Sequence, residues 1–217
     1  MNEKELKEKL DVFEQKMDKQ YKEIFNQYWA YIKCKNGYDK IYAIKKNDLK
    51  NKEYVPIVDM CCLEELQDKI KEYPSDEYIY EIMEYDDFKE ENIKFREIYL
   101  YILNELRQPN NEYSDSRNSK IYDSYETTKR LLIDSINEGD LRFLSEIYVV
   151  RKNDLKNKKY VPYHDWFSKR NLERGMNDYP KDKYIYKKMS ALEFFKEVEY
   201  FIDIFDYIFE NAGLEEQ

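Results

Sequence analysis

One segment occurs twice in this sequence, letter for letter, and the repeat constrains the fold more than any other feature. The run KNDLKNK occupies Lys46–Lys52 and returns at Lys152–Lys158, followed each time by one variable residue and Tyr-Val-Pro. Aligned without a gap at an offset of about 106 residues, Ile41–Asn104 and Ile147–Glu210 are identical at roughly 27 of about 64 positions. The sequence therefore predicts an internal tandem duplication.

The duplication divides the 217 residues into two units of about 105 residues, each long enough to bury a modest core. The predicted boundaries are residues 1–107 for the first unit, 108–119 for a linker rich in Asn, Ser and Pro, and 120–217 for the second. With 23 Tyr, 11 Phe and 4 Gly, the chain is too aromatic to be disordered and too poor in glycine for a loop-built enzyme.

Hydrophobic periodicity and strand-forming residues indicate the elements of the first unit. Apolar residues recur at spacings of three and four through Glu3–Lys33, which predicts a long amphipathic helix. β-Branched and aromatic residues predict three strands, at Ile41–Ile44, Tyr54–Ile57 and Glu77–Met83. A polar connector, Lys45–Glu53, separates the first two strands.

Two further amphipathic segments predict helices that cover these strands. Asp59 is expected to cap a helix at Met60–Glu72, because a carboxylate before a helix accepts hydrogen bonds from its free N–H groups. Asp86 or Asp87 is expected to cap a second helix that reaches about Leu106. The side chains expected to form the apolar side of the first of these helices are Leu63, Leu66 and Ile70.

The second unit retraces the same order of elements from Ile147 onward. Tyr179–Pro180 and Tyr184–Tyr186 stand where the first unit has Tyr73–Pro74 and Tyr78–Tyr80. We therefore predict an α+β fold made of two tandem repeated units, each a small antiparallel sheet packed against helices.

Cysteine and histidine usage gives little support to a catalytic or metal site. Cys34, Cys61 and Cys62 all lie in the first unit without cysteine counterparts in the second, so reduced thiols are expected. His164 is the one histidine, and its neighbour Asp165 would point to the opposite face of a strand. A multi-histidine metal site is thus excluded, and the sequence has neither a nucleophile elbow nor a phosphate-binding glycine loop. We expect no catalytic residue, metal ligand or cofactor.

Charge and composition indicate where in the cell the protein acts and which kind of partner it binds. The formal net charge is −9, and duplex nucleic acids bind clustered Lys and Arg, so a basic protein is the better-suited partner. The N-terminus, MNEKELKEKL, carries charged side chains from Glu3 onward, and no apolar run approaches the ~20 residues of a membrane span, so a cytoplasmic protein is expected. Abundant Lys, Asn, Tyr, Ile and Glu are typical of an AT-rich coding genome, as in low-GC bacteria and their phages.

The repeated connector is the first candidate for a binding surface. An exposed polar segment is expected to diverge faster than a core, yet it is the longest identical run between the two units. The candidate residues are Asn47, Asp48, Lys50, Asn51 and Tyr54 in the first unit and Asn153, Asp154, Lys156, Asn157 and Tyr160 in the second. A structural alternative is that Asn47, Asp48 and Asn51 hold a turn through side-chain to backbone hydrogen bonds. A third explanation is that the duplication is recent and that the two copies have diverged unevenly.

An acidic stretch in the first unit is the second candidate. Its carboxylates are Asp76, Glu77, Glu81, Glu84, Asp86, Asp87, Glu90 and Glu91. The matching stretch of the second unit instead carries Lys183, Lys187, Lys188 and Lys196. One interpretation is a solvated face. The sharper one is an acidic patch that attracts and orients a basic partner.

These features favour a binding protein over an enzyme. The leading hypothesis is a non-enzymatic bacterial or phage protein that inhibits another protein. It would act either as an immunity protein against a toxin or as an anti-defence inhibitor of a nuclease, of the anti-CRISPR type. A tyrosine-rich scaffold suits this role, since Tyr supplies rigid contact area. The alternatives are a hydrolase with a carboxylate-based site and an adaptor that bridges two copies of a partner.

Overall fold

The computed structural model describes residues 2–34, 40–49, 54–107, 130, 146–152 and 165–214. The first part of the chain contains α1 (Glu3–Cys34), β1 (Lys40–Lys46), β2 (Ile57–Cys61), α2 (Leu66–Glu72), β3 (Tyr78–Glu84) and α3 (Tyr85–Leu106), with a short 3-10 turn at Asn47–Leu49 after β1. The later part contains β4 (Glu146–Lys152), β5 (Asp165–Ser168), α4 (Leu172–Asp178), β6 (Tyr184–Ser190) and α5 (Ala191–Ala212), with a 3-10 turn at Lys169–Asn171 before α4.

The strands form two three-stranded antiparallel sheets with the same strand order. The first sheet has the order β2-β1-β3 and the second β5-β4-β6. Pairing is equivalent as well, because Ile41 lies opposite Met83 in the first sheet and Ile147 opposite Met189 in the second. The predicted α+β class, with antiparallel sheets packed against helices, is confirmed.

The chain packs as two compact units, and their limits differ from those that the repeat predicts. Met1–Arg96 and Tyr207–Leu214 make up the first unit, and Glu97–Asp206 makes up nearly all of the second. The predicted linker, residues 108–119, lies outside the described residues, so the boundaries drawn from the repeat stay a prediction.

Helices cover both faces of the first sheet. On one face Ile24 of α1 and Phe88 of α3 pack with sheet residues in a buried cluster, which matches the apolar stripe predicted for α1. The sheet residues of this cluster are Ile41, Ala43, Ile57, Met60 and Met83. On the other face lies α2, whose backbone accepts hydrogen bonds from the Tyr80 hydroxyl: 2.5 Å to the carbonyl of Tyr73 and 3.1 Å to that of Lys69.

The second sheet holds its short helix in the same way. The Tyr186 hydroxyl donates to the carbonyls of Tyr179, at 2.5 Å, and Gly175, at 3.2 Å. These contacts lie at the positions equivalent to those of Tyr80. A partly buried tyrosine gains from a partner for its hydroxyl, and the carbonyls at the end of a short helix provide two acceptors for its one proton.

The second predicted strand was placed three residues too early. β2 runs over Ile57–Cys61, and Tyr54–Pro56 precedes it as buried chain without strand pairing. Proline lacks the N–H that a ladder requires, so pairing begins only after Pro56. β1 and β3 also extend past their predicted ends, β1 to Lys46 and β3 to Glu84.

Asp59 is not a helix cap, and α2 is shorter than predicted. Asp59 lies within β2 opposite Ile44, whereas α2 begins at Leu66. Of the predicted apolar side, Leu66 is partly buried, but Leu63 and Ile70 are 66% and 36% exposed. Lys69 is partly buried beside Leu66, and its amine pairs with the buried carboxylate of Asp59.

Candidate functional site

The acidic stretch follows the outer edge of the first sheet and continues into the helix behind it. Glu81 and Glu84 lie on β3, which among the described residues pairs with β1 alone. Asp86 and Asp87 occupy the first turn of α3, where carboxylates are favoured by the positive end of the helix dipole. We name the eight carboxylates the acidic edge: Asp76, Glu77, Glu81, Glu84, Asp86, Asp87, Glu90 and Glu91. All are exposed except Glu91, which is partly buried.

A buried lysine joins two members of the acidic edge. The Nζ atom of Lys45, on β1, lies 2.8 Å from Glu81 Oε2 and 2.8 Å from Glu91 Oε1. Its side chain is 7% exposed, against 52% for Glu81 and 21% for Glu91. Burial alone would lower the pKa of Lys45, but the two carboxylates outweigh it and raise that pKa. Burial raises the pKa of Glu91, and Lys45 opposes this rise.

The second sheet has the same arrangement with the outer charge reversed. Arg151 takes the place of Lys45 and forms an ion pair with Glu197, the counterpart of Glu91. Lys187 takes the place of Glu81 and lies 3.4 Å from the same Glu197 carboxylate. A cation between two carboxylates is thus replaced by a carboxylate between two cations.

The repeated connector meets the beginning of the acidic edge. The backbone N–H of Asn47 donates to the carbonyl of Glu77 at 2.8 Å, and its side-chain amide donates to the carbonyl of Asp76 at 3.2 Å. Asn47 therefore holds the turn before β3, which supports a structural role for this residue. The side chain of Asp48 beside it is exposed.

Several predicted binding residues are not on the described surface. Tyr54 is 3% exposed and its ring stacks on Phe95 with the ring centroids 5.0 Å apart, so it contributes to the core. The remaining connector residues and the histidine lie outside the described residues: Lys50, Asn51, Asn153, Asp154, Lys156, Asn157, Tyr160 and His164.

Net charge separates the two sheet edges. The acidic edge, with Lys89 inside the run and the three lysines of β1, Lys40, Lys45 and Lys46, has eight negative and four positive charges, a net charge of −4. The equivalent positions of the second sheet carry four negative charges, including Glu146, and six positive ones, including Arg151 and Lys152, a net charge of +2. Two similar scaffolds thus present different fields to an approaching protein.

A second polar cluster lies between the first sheet and α2. Lys69 Nζ donates to Asp59 Oδ2 at 2.5 Å, and Asp59 Oδ1 accepts the Met60 N–H at 2.8 Å. Burial acts to lower the pKa of Lys69, but hydrogen bonds to Asp59 and Glu72 outweigh it and raise that pKa. Burial raises the pKa of the neighbouring Cys61 thiol to about 11. At neutral pH these two groups offer neither a free amine nor a thiolate, and the ion pair holds α2 to the sheet.

Sequence reasoning missed the residues that organise both polar clusters. The sequence pattern places Lys45 in a connector and Asp59 at a helix cap, and it gives Lys69 no distinct role. The sequence does contain a signal for the first cluster. Lys45 and its counterpart Arg151 are both positive, and Glu91 and its counterpart Glu197 are both negative. No comparable signal existed for the second, because Lys69 corresponds to Gly175.

The described part of the chain contains no group of three or more His, Cys, Asp or Glu side chains placed to hold a metal ion. None of its helices combines the length and the apolar character needed to cross a membrane. No protein-family model, curated protein or solved structure matches this chain.

Proposed function

We propose that this chain is a non-enzymatic bacterial or phage protein that acts in the cytoplasm by binding and inhibiting a basic protein through its acidic edge. The target would be a toxin that the chain neutralises as an immunity protein, or a nuclease of a defence system. One observation carries the proposal: the acidic edge and the strand beside it have a net charge of −4, whereas the equivalent positions of the second sheet carry +2.

Folding alone does not account for all of these carboxylates. Glu81 and Glu91 neutralise Lys45, and Asp86 and Asp87 stabilise the start of α3. Asp76 and Glu77 are exposed, and among the described residues the side chains of these two form no ion pair. Like charges crowded on one edge repel each other, so a function that requires the field explains their presence better than stability does.

We also propose that the two units arose by tandem duplication and then diverged in function. Equal strand order, the matching tyrosine contacts to the short helices, and the two buried ion clusters support this history. The charge difference argues against an adaptor that bridges two copies of one partner, because identical partners would require similar surfaces.

The proposal is tested by exchanging charge between equivalent exposed positions. The variant Glu77→Lys/Glu90→Lys places lysine at two positions of the first unit whose counterparts in the second unit, Lys183 and Lys196, are lysines. The matched control, Lys183→Glu/Lys196→Glu, makes the reverse change in the second unit. All four positions are exposed, so both variants are expected to keep the stability of the natural chain.

The assay is affinity capture from the bacterium that carries the gene, followed by association kinetics with the captured protein. We expect one basic protein in stoichiometric amount, and a tenfold slower association, roughly, for the first variant at low salt. Added salt should reduce this difference, and the control should associate like the natural chain. Equal association rates for both variants, or a captured partner that is acidic, would contradict the proposal.

A further inference from the structure

The outer strands of the two sheets carry opposite charges at one pair of equivalent positions, Glu81 and Lys187. β3 and β6 are each seven residues long, and among the described residues each pairs on one side alone, with β1 and β4 respectively. Glu81 on β3 and Lys187 on β6 are 52% and 55% exposed. The free side of an edge strand presents backbone N–H and C=O groups that can pair with another strand.

β3 differs at Ile82 from an edge strand that is protected against pairing with another strand. Natural sheets often place lysines on edge strands, because a charge that pairing would bury discourages another strand from docking. β6 follows this rule with Lys187 and Lys188, whereas β3 has Ile82, 58% exposed, at the position of Lys188. The edge of β3 therefore combines an apolar contact point with flanking carboxylates.

We propose that β3 of one copy of this chain pairs with β6 of a second copy, in an antiparallel register with Glu81 opposite Lys187. In this register Ile82 lies opposite Tyr186, and Tyr80 lies opposite Lys188. Residues opposite each other in an antiparallel pair point to the same face. The register is consistent with this rule, because Tyr80 and Tyr186 both point to the face of their sheet that carries the short helix.

Charge complementarity identifies the second copy as the occupant. Two β3 edges would bring carboxylates together and two β6 edges would bring lysines together, whereas a β3–β6 contact pairs opposite charges. Each cross-strand pair of opposite charge, or of an aromatic with a β-branched residue, contributes about 0.2–1 kcal/mol. Two short strands give a small contact, so the expected dissociation constant is about 10–100 μM.

The contact joins two different surfaces, so it closes into a ring or continues as an open chain of copies. It does not rest on the proposed inhibitory function. A basic partner would compete with it, however, because both use the acidic edge.

The test measures self-association of the full chain by sedimentation velocity over a range of concentrations, at low and high salt. Three variants exchange charge across the contact: Glu81→Lys, Lys187→Glu, and the two changes together. Each single change reproduces an arrangement that the other sheet already tolerates, because Lys187 stands beside Arg151 and Glu197 just as Glu81 stands beside Lys45 and Glu91. Circular dichroism verifies that each variant is folded.

We expect the natural chain to associate reversibly at low salt and to dissociate as salt is added. Each single variant should weaken association by at least about tenfold, and the double variant should restore it to within about threefold of the natural chain. Ile82→Lys is an independent probe: this exposed side chain takes part in neither ion cluster, and its replacement should also weaken association.

The following results would overturn the proposal. A natural chain that stays monomeric at concentrations well above the expected dissociation constant excludes the contact. Single variants that associate like the natural chain, or a folded double variant that does not recover association, exclude the pairing of Glu81 with Lys187. If the natural chain is monomeric and the Ile82→Lys variant no longer binds a basic partner, the edge of β3 contacts that partner and not a second copy.

Discussion

Lys45→Met is the change that most directly tests the buried ion cluster of the first sheet. It removes a cation whose side chain is 7% exposed and leaves the Glu91 carboxylate, 21% exposed, without its closest counter-charge. Breaking a fully buried ion pair from one side costs about 3–5 kcal/mol. Glu91 retains some contact with water and Glu81 is half exposed, so we expect a loss of about 2–3 kcal/mol in the free energy of unfolding.

The loss should depend on pH in a direction that the structure fixes. Burial already holds the pKa of Glu91 above its ordinary value, and removing Lys45 raises that pKa further. The folded variant then binds a proton more readily than the unfolded chain, so its stability increases as pH falls through the folded pKa of Glu91. The destabilisation is therefore complete near neutral pH and decreases in mild acid.

Urea unfolding of the natural chain and the variant, at neutral and at mildly acidic pH, measures both effects. The matched control is Lys45→Met/Glu91→Met, which removes both charges together and should recover most of the lost stability. Arg151→Met applies the same change to the second sheet. A loss below about 0.5 kcal/mol with no pH dependence would refute the reasoning, because it would mean that the two side chains are solvated rather than buried together.

Three further substitutions test the packing of the short helices. Tyr80→Phe and Tyr186→Phe each remove a hydroxyl that donates to two helix carbonyls, and each should reduce stability by about 1 kcal/mol in urea unfolding; a loss for one alone would contradict equivalent roles. Gly175→Ala places a Cβ 2.7 Å from ring carbons of Phe167 and should cost about 1–3 kcal/mol. This cost should be smaller in a Phe167→Cys background, and an equal cost in both backgrounds would argue against the clash.

The regular elements could be predicted from the sequence because their signals are local. The spacing of apolar residues fixed α1 and α3 to within about one or two residues at their ends. The Tyr-Ile-Tyr runs marked β3 and β6, since β-branched and aromatic residues suit a half-buried pleated surface. Each of these signals extends over a few neighbouring residues, and the structure agrees with them.

The errors arose where a contact between distant residues decided the outcome. Asp59 before an apolar segment has the form of a helix cap, but its carboxylate binds Lys69, ten residues later, across the face of the sheet. Lys45 lies in a polar run of the sequence, yet its side chain is buried and its amine forms an ion pair with Glu91 on α3. Both cases follow one rule: a buried charge takes the position that lets it meet its counter-charge, whatever the local pattern favours.

The buried and exposed members of the two ion clusters have diverged differently, and the reason is energetic. Lys45 and Arg151 keep one sign, as do Glu91 and Glu197, because a reversed charge at a buried position would have no partner. Glu81 and Lys187 are about half exposed, and water stabilises either sign there at little cost to the fold. Folding therefore fixes the charge at the inner positions and leaves it open at the outer ones. We propose that the sign at an outer position is set by what the surface meets, and a search for a partner therefore begins at the acidic edge rather than at the ion clusters beneath it.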